Sequence, residues 1–329
     1  MKAALLVAPG ELAVGELPAP EVGPDDVEIA VRGVGLCGSD VSVFTGKWAA
    51  PSYPWVMGHE AFGTIAAVGR NILPERIGQT VVVEPNIVCL DCEQCRLGRT
   101  SACVSRRSVG MNRPGALAER LVVPSRFAWA IDGPSPEDLV CVEPTTVVRA
   151  ALRRVGDIPD SVLVVGLGAQ GLLMATALLE RGVAVHGHDV SPGRMAFADG
   201  LGVRPSATDP MAARFELVVD TVGSPASVDF AFERLAIGGM LLLLGLDDRP
   251  LGLTAQSLVR RQALVRGSLT YDHPADFQAS VAMIAAGDFA PGRIVGDAYA
   301  LDEVRLAFER SGSALGKSWI RVGEGDESP

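Results

Sequence analysis

The stretch VLVVGLGAQGLLMATALLERGVAVHGHDV at 162–190 leaves a chain few ways to fold. An apolar run at 162–165 breaks at Gly166, Gly168 and Gly171, spaced G-x-G-x-x-G, and a helical apolar pattern begins at once. A glycine triplet alone is weak; between a strand and a helix it is specific. The first glycine allows a tight turn, the second lets the backbone approach a pyrophosphate, and the third lets helix and strand pack closely. The helix N-terminus, at Ala169 and Gln170, then turns its amides toward phosphate. Asp189 ends the next strand, where a carboxylate can accept both ribose hydroxyls and repel a 2′-phosphate, which favours NAD over NADP. The plainer alternatives are a packing turn without a ligand and an Asp189 that merely ends a strand or caps a helix. Arg194 and His188, close by in sequence, can also tolerate a phosphate.

The surrounding texture extends this unit. FELVVDTVG and GGMLLLLGL are two more apolar strands, with helical stretches PGRMAFADGLG and PASVDFAFERLA between strands. Buried strands alternating with helices predict a doubly wound parallel sheet. The first 130 residues differ: KAALLVA, DVEIAVRGVGL, AFGTIAAVG, QTVVVEP and ALAERLVVP are short β-type runs punctuated by Gly and Pro, a barrel-like pattern. After about 288 the β texture returns in GRIVGDAYA, with a helix at 302–311 and a last strand KSWIRV. The terminal GEGDESP reads as a frayed tail.

Length and charge narrow the partners. A chain of 329 residues suggests two domains. With 48% hydrophobic residues and a mean hydropathy of +0.27 it has material for real cores, and no apolar run reaches the roughly 18 residues of a membrane span. The N-terminus is apolar too briefly for a signal peptide, so a cytoplasmic protein with no membrane partner is expected. The formal charge of −10 excludes a phosphate-backbone partner.

Six cysteines stand at 37, 89, 92, 95, 103 and 141. Cys89, Cys92, Cys95 and Cys103 form C-x2-C-x2-C-x7-C, close enough to surround one zinc with no open position, a structural site. An iron–sulfur cluster, a zinc-ribbon nucleic-acid module and two disulfides are the competing readings. Elsewhere VMGHEAFG supplies His59 and Glu60, with Cys37 before them and Cys141 and Glu143 of CVEP after them. Together they offer a mixed sulfur, nitrogen and oxygen set able to bind zinc with one position open, the catalytic pattern. Singly, each is more ordinary: a lone cysteine is usually inert core, and Glu143-Pro144 starts a helix. His186, His188 and His273 carry no comparable pattern. Phe44, Trp48, Tyr53 and Trp55 can line a pocket or simply pack.

GLCGSD at 35–40, GHEAFG at 58–63, the four-cysteine loop at 89–103, VEP at 142–144, VVGLGAQG at 164–171 and VVDTVG at 218–223 follow in order over nearly the whole chain. In these motifs the chain resembles the medium-chain zinc-dependent alcohol dehydrogenases. GHE with VEP and CGSD is similar to the polyol and sugar branch, and CGSDVSVFTGKW also looks like dehydrogenases of cyclitols and aminocyclitols. The resemblance implies an α/β architecture. A GroES-like β-rich catalytic domain spans 1–147 and 289–329, with a structural zinc lobe at 89–103, and a Rossmann dinucleotide-binding domain occupies 148–288.

The resemblance also implies two zinc ions, NAD and a small-molecule polyol, sugar or cyclitol substrate, in a homo-dimer or homo-tetramer. Cys37 and His59 hold the catalytic zinc with Glu60 or Glu143. Cys141 lies near where the simple-alcohol branch places a third cysteine ligand. Ser39 matches the hydroxyl that takes the substrate proton, and Asp40 the carboxylate that steadies the ligand histidine. Many relatives have a relay histidine three residues beyond that hydroxyl; here the position is Ser42. An amino-alcohol oxidiser of the threonine dehydrogenase type and a non-catalytic dinucleotide-binding member are the rival readings.

Overall fold

A computed structural model describes residues 1–206 and 214–323. The expected frayed tail, beyond Gly323, lies outside them. The chain divides into two compact units, Met1–Glu143 with Asp272–Pro329, and Pro144–Tyr271.

The first unit is built on a seven-stranded sheet. Strand Asp26–Gly35 is its centre, pairing antiparallel with Glu60–Val68, with Arg120–Pro124 and with Lys317–Arg321. Thr80–Val83 and Ala128–Ala130 continue one edge, and Val295–Ala300 lies parallel to Lys317–Arg321 at the other. The hairpin Lys2–Ala8/Glu11–Glu16 adds a second small sheet. The DVEIAV stretch of the central strand alternates half-buried and buried residues, which drives Val27, Ile29 and Val31 into one core with Leu6, Met57, Leu117 and Ile320. Register places Gly35 opposite both Glu60 and Trp319. Residues on opposite ends of the chain therefore meet at the end of one strand pair.

The segment 272–288, which the sequence reading gives to the dinucleotide-binding half, packs in this first unit. The physical reason is local. His273 hydrogen-bonds Glu84, the His273 amide donates to Thr100 Oγ1, and Phe277 stacks against Trp129. Its helix, Ala275–Ala285, buries Phe277, Val281 and Ile284.

The second unit is a six-stranded, wholly parallel sheet. Its order is Arg204–Pro205, Ala184–His188, Ser161–Val165, Phe215–Asp220, Leu235–Leu243, Leu264–Gly267. In chain order that is 3-2-1-4-5-6, the doubly wound dinucleotide-binding topology. Its strands are near-continuous apolar runs because helices cover both faces; four of the five residues of Ser161–Val165 are buried. Helix Ala169–Leu179 follows the first strand directly, and its residues Gly171–Thr176 and Leu178 are all buried.

Candidate active site

Two motifs, GLCGSD at 35–40 and GHE at 58–60, converge in the first unit around Asp40, which has no solvent exposure. Asp40 lies in the first turn of helix Gly38–Phe44. Its Oδ2 accepts from the Cys37 amide at 3.2 Å, and its Oδ1 accepts from the Gly58 amide at 3.1 Å and meets His59 Nδ1 at 3.3 Å. One carboxylate thus fixes both the cysteine loop and the histidine loop. With Nδ1–H directed at Asp40, the imidazole keeps Nε2 for a metal. Burial lowers the His59 pKa, but the charges of Asp40 and Cys37 overcome this and carry it well above the ordinary value.

One donor atom each of Cys37, His59 and Glu60 lie within 4.8 Å of one another. A thiol, an imidazole and a carboxylate so gathered fit a catalytic zinc, which takes three protein ligands and keeps a fourth position open. Glu143 stands outside this group; it is the second residue of helix Val142–Val155. Cys141 is also outside it, fully buried, with burial pushing its thiol up to about 12. Ser39 is half-buried on helix Gly38–Phe44, two residues after Cys37. Ser42 donates its hydroxyl to the Gly38 carbonyl at 3.0 Å. The nearby aromatics pack: Phe44 lies against Phe308 with ring centroids 5.1 Å apart, and Trp55 Nε1 donates to the Gly110 carbonyl. Trp48 packs against the same core, while Tyr53 is exposed.

Cys89, Cys92, Cys95 and Cys103 form the second group, again with sulfurs within 4.8 Å of one another. All six cysteines are free thiols. Sulfurs of Cys103 and Cys89 lie 3.5 Å apart, and those of Cys89 and Cys95 3.9 Å. These separations are far too long for a disulfide, about 2.05 Å, and match the roughly 3.8 Å edge of a tetrahedron with zinc–sulfur bonds near 2.3 Å. The Cys95 and Val104 amides hydrogen-bond the Cys92 sulfur and lower its pKa to about 6, so a thiolate is favoured before any metal arrives. The lobe's apolar support is small, Val88 and Phe127 beside Cys103.

In the second unit, the glycine turn has the shape a pyrophosphate needs. Gly166 has φ +86°, and a methyl at Gly171 would overlap the Gly166 carbonyl oxygen. Gly168 precedes the first helical residue, Ala169, and Gln170 Nε2 reaches the Pro144 carbonyl at 3.4 Å. Asp189, with its side chain 6% exposed, accepts from the Leu167 amide at Oδ2 and from the Ser191 amide at Oδ1, each at 2.8 Å. Its carboxylate therefore braces the glycine turn from the next strand. Arg194 Nη1 is 3.9 Å from Asp189 Oδ2, and His188 stacks on Phe230 with centroids 3.7 Å apart.

Two family models match: alcohol dehydrogenase GroES-like domain over residues 23–133 and zinc-binding dehydrogenase over 169–286. The chain belongs to the zinc-dependent medium-chain alcohol dehydrogenases. This dehydrogenase is 30% identical to D-altritol 5-dehydrogenase of Agrobacterium fabrum, over 82% of this chain and 84% of that one. It is 34% identical to an L-threonine 3-dehydrogenase of Chelativorans sp., over 75% and 77%. Its fold matches the crystal structure of galactitol-1-phosphate dehydrogenase from Escherichia coli with a TM-score of 0.89 at 25% identity, covering 98% of this chain and all of the other.

Two features of this dehydrogenase escape a sequence reading. Lys317, 1% exposed, reaches Glu60 Oε2 with its ammonium; nothing in the terminal strand KSWIR singles it out. His273, which carried no pattern, hydrogen-bonds Glu84 at 2.8 Å, and Trp129 Nε1 donates to the same carboxylate oxygen at 2.8 Å. Burial raises the Glu84 pKa. Thr100 Oγ1 exchanges hydrogen bonds with the His273 backbone, and the Ser101 amide donates to Asp272, so this buried cluster also fastens the four-cysteine lobe.

Proposed function

We propose that this dehydrogenase oxidises a secondary alcohol of a polyol, sugar or cyclitol to a ketone, with NAD as hydride acceptor. The observation that carries the reading is the Cys37, His59 and Glu60 group braced by Asp40. Relatives named for altritol and galactitol-1-phosphate support the substrate class. When bound, zinc supplies Lewis acidity toward the hydroxyl oxygen and NAD supplies the hydride acceptor.

The chain's residues do the rest. Cys37, His59 and Glu60 hold the metal, Asp40 fixes the His59 tautomer, and Cys89, Cys92, Cys95 and Cys103 hold the structural zinc. Ser39 takes the hydroxyl proton as hydride leaves the carbinol carbon. The Ser42 hydroxyl donates to the Gly38 carbonyl and keeps its oxygen as an acceptor, and the proton leaves Ser39 through the cofactor ribose, Ser42 or water. Gly166, Gly168, Ala169, Gln170 and Gly171 cradle the pyrophosphate, and Asp189 accepts the ribose hydroxyls, with Arg194 beside it.

Six free thiols suit a reducing cytoplasm, and among the described residues no helix is long and apolar enough to cross a membrane. Ile237 and Val259, 71% and 75% exposed on the second unit, suit burial in a homo-dimer or homo-tetramer. The test is NADH formation from a panel of polyols, sugars, cyclitols and aminocyclitols, with L-threonine as a separate arm. Turnover of a polyol or cyclitol with NAD supports the reading; turnover of L-threonine alone overturns it.

A further inference from the structure

Lys317 and Glu60 form a buried ion pair, each side chain 1% exposed, between residues 257 positions apart. An ammonium so deep is costly unless it is paired and hydrogen-bonded. Here it is both: Lys317 Nζ also donates to the Leu36 carbonyl at 3.3 Å, one residue before Cys37. The site is shaped around the pair. A Cβ at Gly35 would overlap Glu60 Oε2 and come within 2.7 Å of Lys317 Cε. The Glu60 carboxylate and the Leu36 carbonyl are the partners a buried ammonium needs.

We propose that Lys317 is a positioning residue that holds the Glu60 carboxylate as a weak, exchangeable ligand of the catalytic metal. The proposal rests on the reading of Cys37, His59 and Glu60 as that metal's ligands. Two physical effects lead to it. Lys317 occupies Oε2, which draws charge from the carboxylate and leaves Oε1 for the metal. Its positive charge also stands beside a divalent cation, so it opposes metal binding directly, and Glu60 is the screen between them. With a Cys37 thiolate, Asp40, Glu60, Lys317 and a divalent ion in place, the formal charges of the site cancel. A purely neutral residue at 317 would leave Glu60 bound tightly to the metal and in competition with the substrate oxygen for the open position.

The test uses enzyme carrying cobalt(II) at the Cys37 site and zinc in the four-cysteine lobe, read by its visible spectrum and by the rate at which 1,10-phenanthroline removes the cobalt. Lys317→Met is expected to shift the spectrum, slow cobalt removal by about tenfold or more and lower kcat by about 10–100-fold, the usual scale for a partner of a metal ligand. Glu60→Gln, which leaves the ammonium unscreened, is expected to speed cobalt removal by a similar factor. Lys317→Arg restores the wild-type spectrum and rate. A structural role alone would not produce opposite shifts in the two variants. If Lys317→Met fails to fold, Lys317→Gln, which keeps a donor for the Leu36 carbonyl but no charge, takes its place under the same criteria. Unchanged spectrum and removal rate in Lys317→Met, shifts of one sign in both variants, or an arginine variant that departs from wild type overturns the proposal. Metal content of Cys37→Ser separates this outcome from failure of the ligand assignment: if that variant keeps both metals, the assignment has failed, and Lys317 is not what was tested.

Discussion

Asp189 braces the glycine turn and, on the proposed function, also meets the cofactor ribose, so replacing it tests both roles at once. Its two oxygens accept 2.8 Å hydrogen bonds from the Leu167 and Ser191 amides, in a side chain only 6% exposed. Hydrogen bonds to a charged acceptor are each worth about 1.5–3 kcal/mol. Asp189→Asn keeps one carbonyl oxygen but aims an NH2 at the other amide, so one bond is lost and the survivor becomes neutral. A loss of about 2–3 kcal/mol lowers Tm by roughly 5–10 °C on the scale of 2–4 °C per kcal/mol for chains of 150–250 residues. Asp189→Ala loses both bonds and is expected to cost about 3–5 kcal/mol.

On the proposal that the same carboxylate also accepts the ribose hydroxyls, NAD affinity falls in parallel: NADH fluorescence titration should show at least a tenfold higher Kd in Asp189→Asn, about 1.4 kcal/mol. The ratio of NAD to NADP affinity should shrink as well, since the charge that repels a 2′-phosphate is gone. Calorimetry and titration of wild type and both variants check this. An Asp189→Asn protein with Tm within about 1 °C of wild type and an unchanged NAD to NADP ratio would refute the bracing role and the specificity role together.

Gly171→Ala should fail in a different manner, because its methyl overlaps the Gly166 carbonyl oxygen; overpacking of about 1–3 kcal/mol and loss of NADH binding are expected by the same two assays. Cys103→Ser should release the structural zinc and leave the lobe held by its small apolar contact with Val88 and Phe127 and by the Thr100 and Ser101 hydrogen bonds to His273 and Asp272, raising protease cleavage within 89–98 while the Cys37-site metal stays. The buried Glu84 gives a pH signature. Its raised pKa means the folded state binds more protons than the unfolded state above the ordinary carboxylate range. Stability from this group is therefore present at low pH and lost as pH rises through the folded-state value. Glu84→Gln should flatten that part of the profile in urea titrations; an unaltered slope would contradict it.

Much of this molecule is legible one segment at a time. The GLGAQG turn, the apolar run before it and Asp189 after it lie within 28 residues, and the parallel sheet follows from continuous apolar runs such as SVLVV. The four cysteines lie within 15 residues, where spacing alone implies proximity. The group of Cys37, His59 and Glu60 is legible by residue type, yet its membership is set by geometry: Glu60 pairs with Gly35 across the sheet and so meets Cys37, while Glu143 stands on a helix apart from the group. What stays hidden are pairs joined only by the sheet's closure. Lys317 meets Glu60 across 257 residues and His273 meets Glu84 across 189; no local periodicity carries that information. Cys37 and Ser42 show the converse. In sequence a lone Cys37 reads as ordinary core and Ser42 merely holds the relay position, whereas the short helix ties the Ser42 hydroxyl to its own backbone and leaves Cys37 beside His59 and Glu60.

The most direct test of the account is zinc content and NADH formation measured side by side for wild type and Cys37→Ser with a polyol that turns over. The wild type should carry two zinc ions per chain and produce NADH, and a folded Cys37→Ser should carry one zinc and show no detectable turnover. A Cys37→Ser protein that retains both zinc ions and oxidises the polyol at the wild-type rate would contradict it.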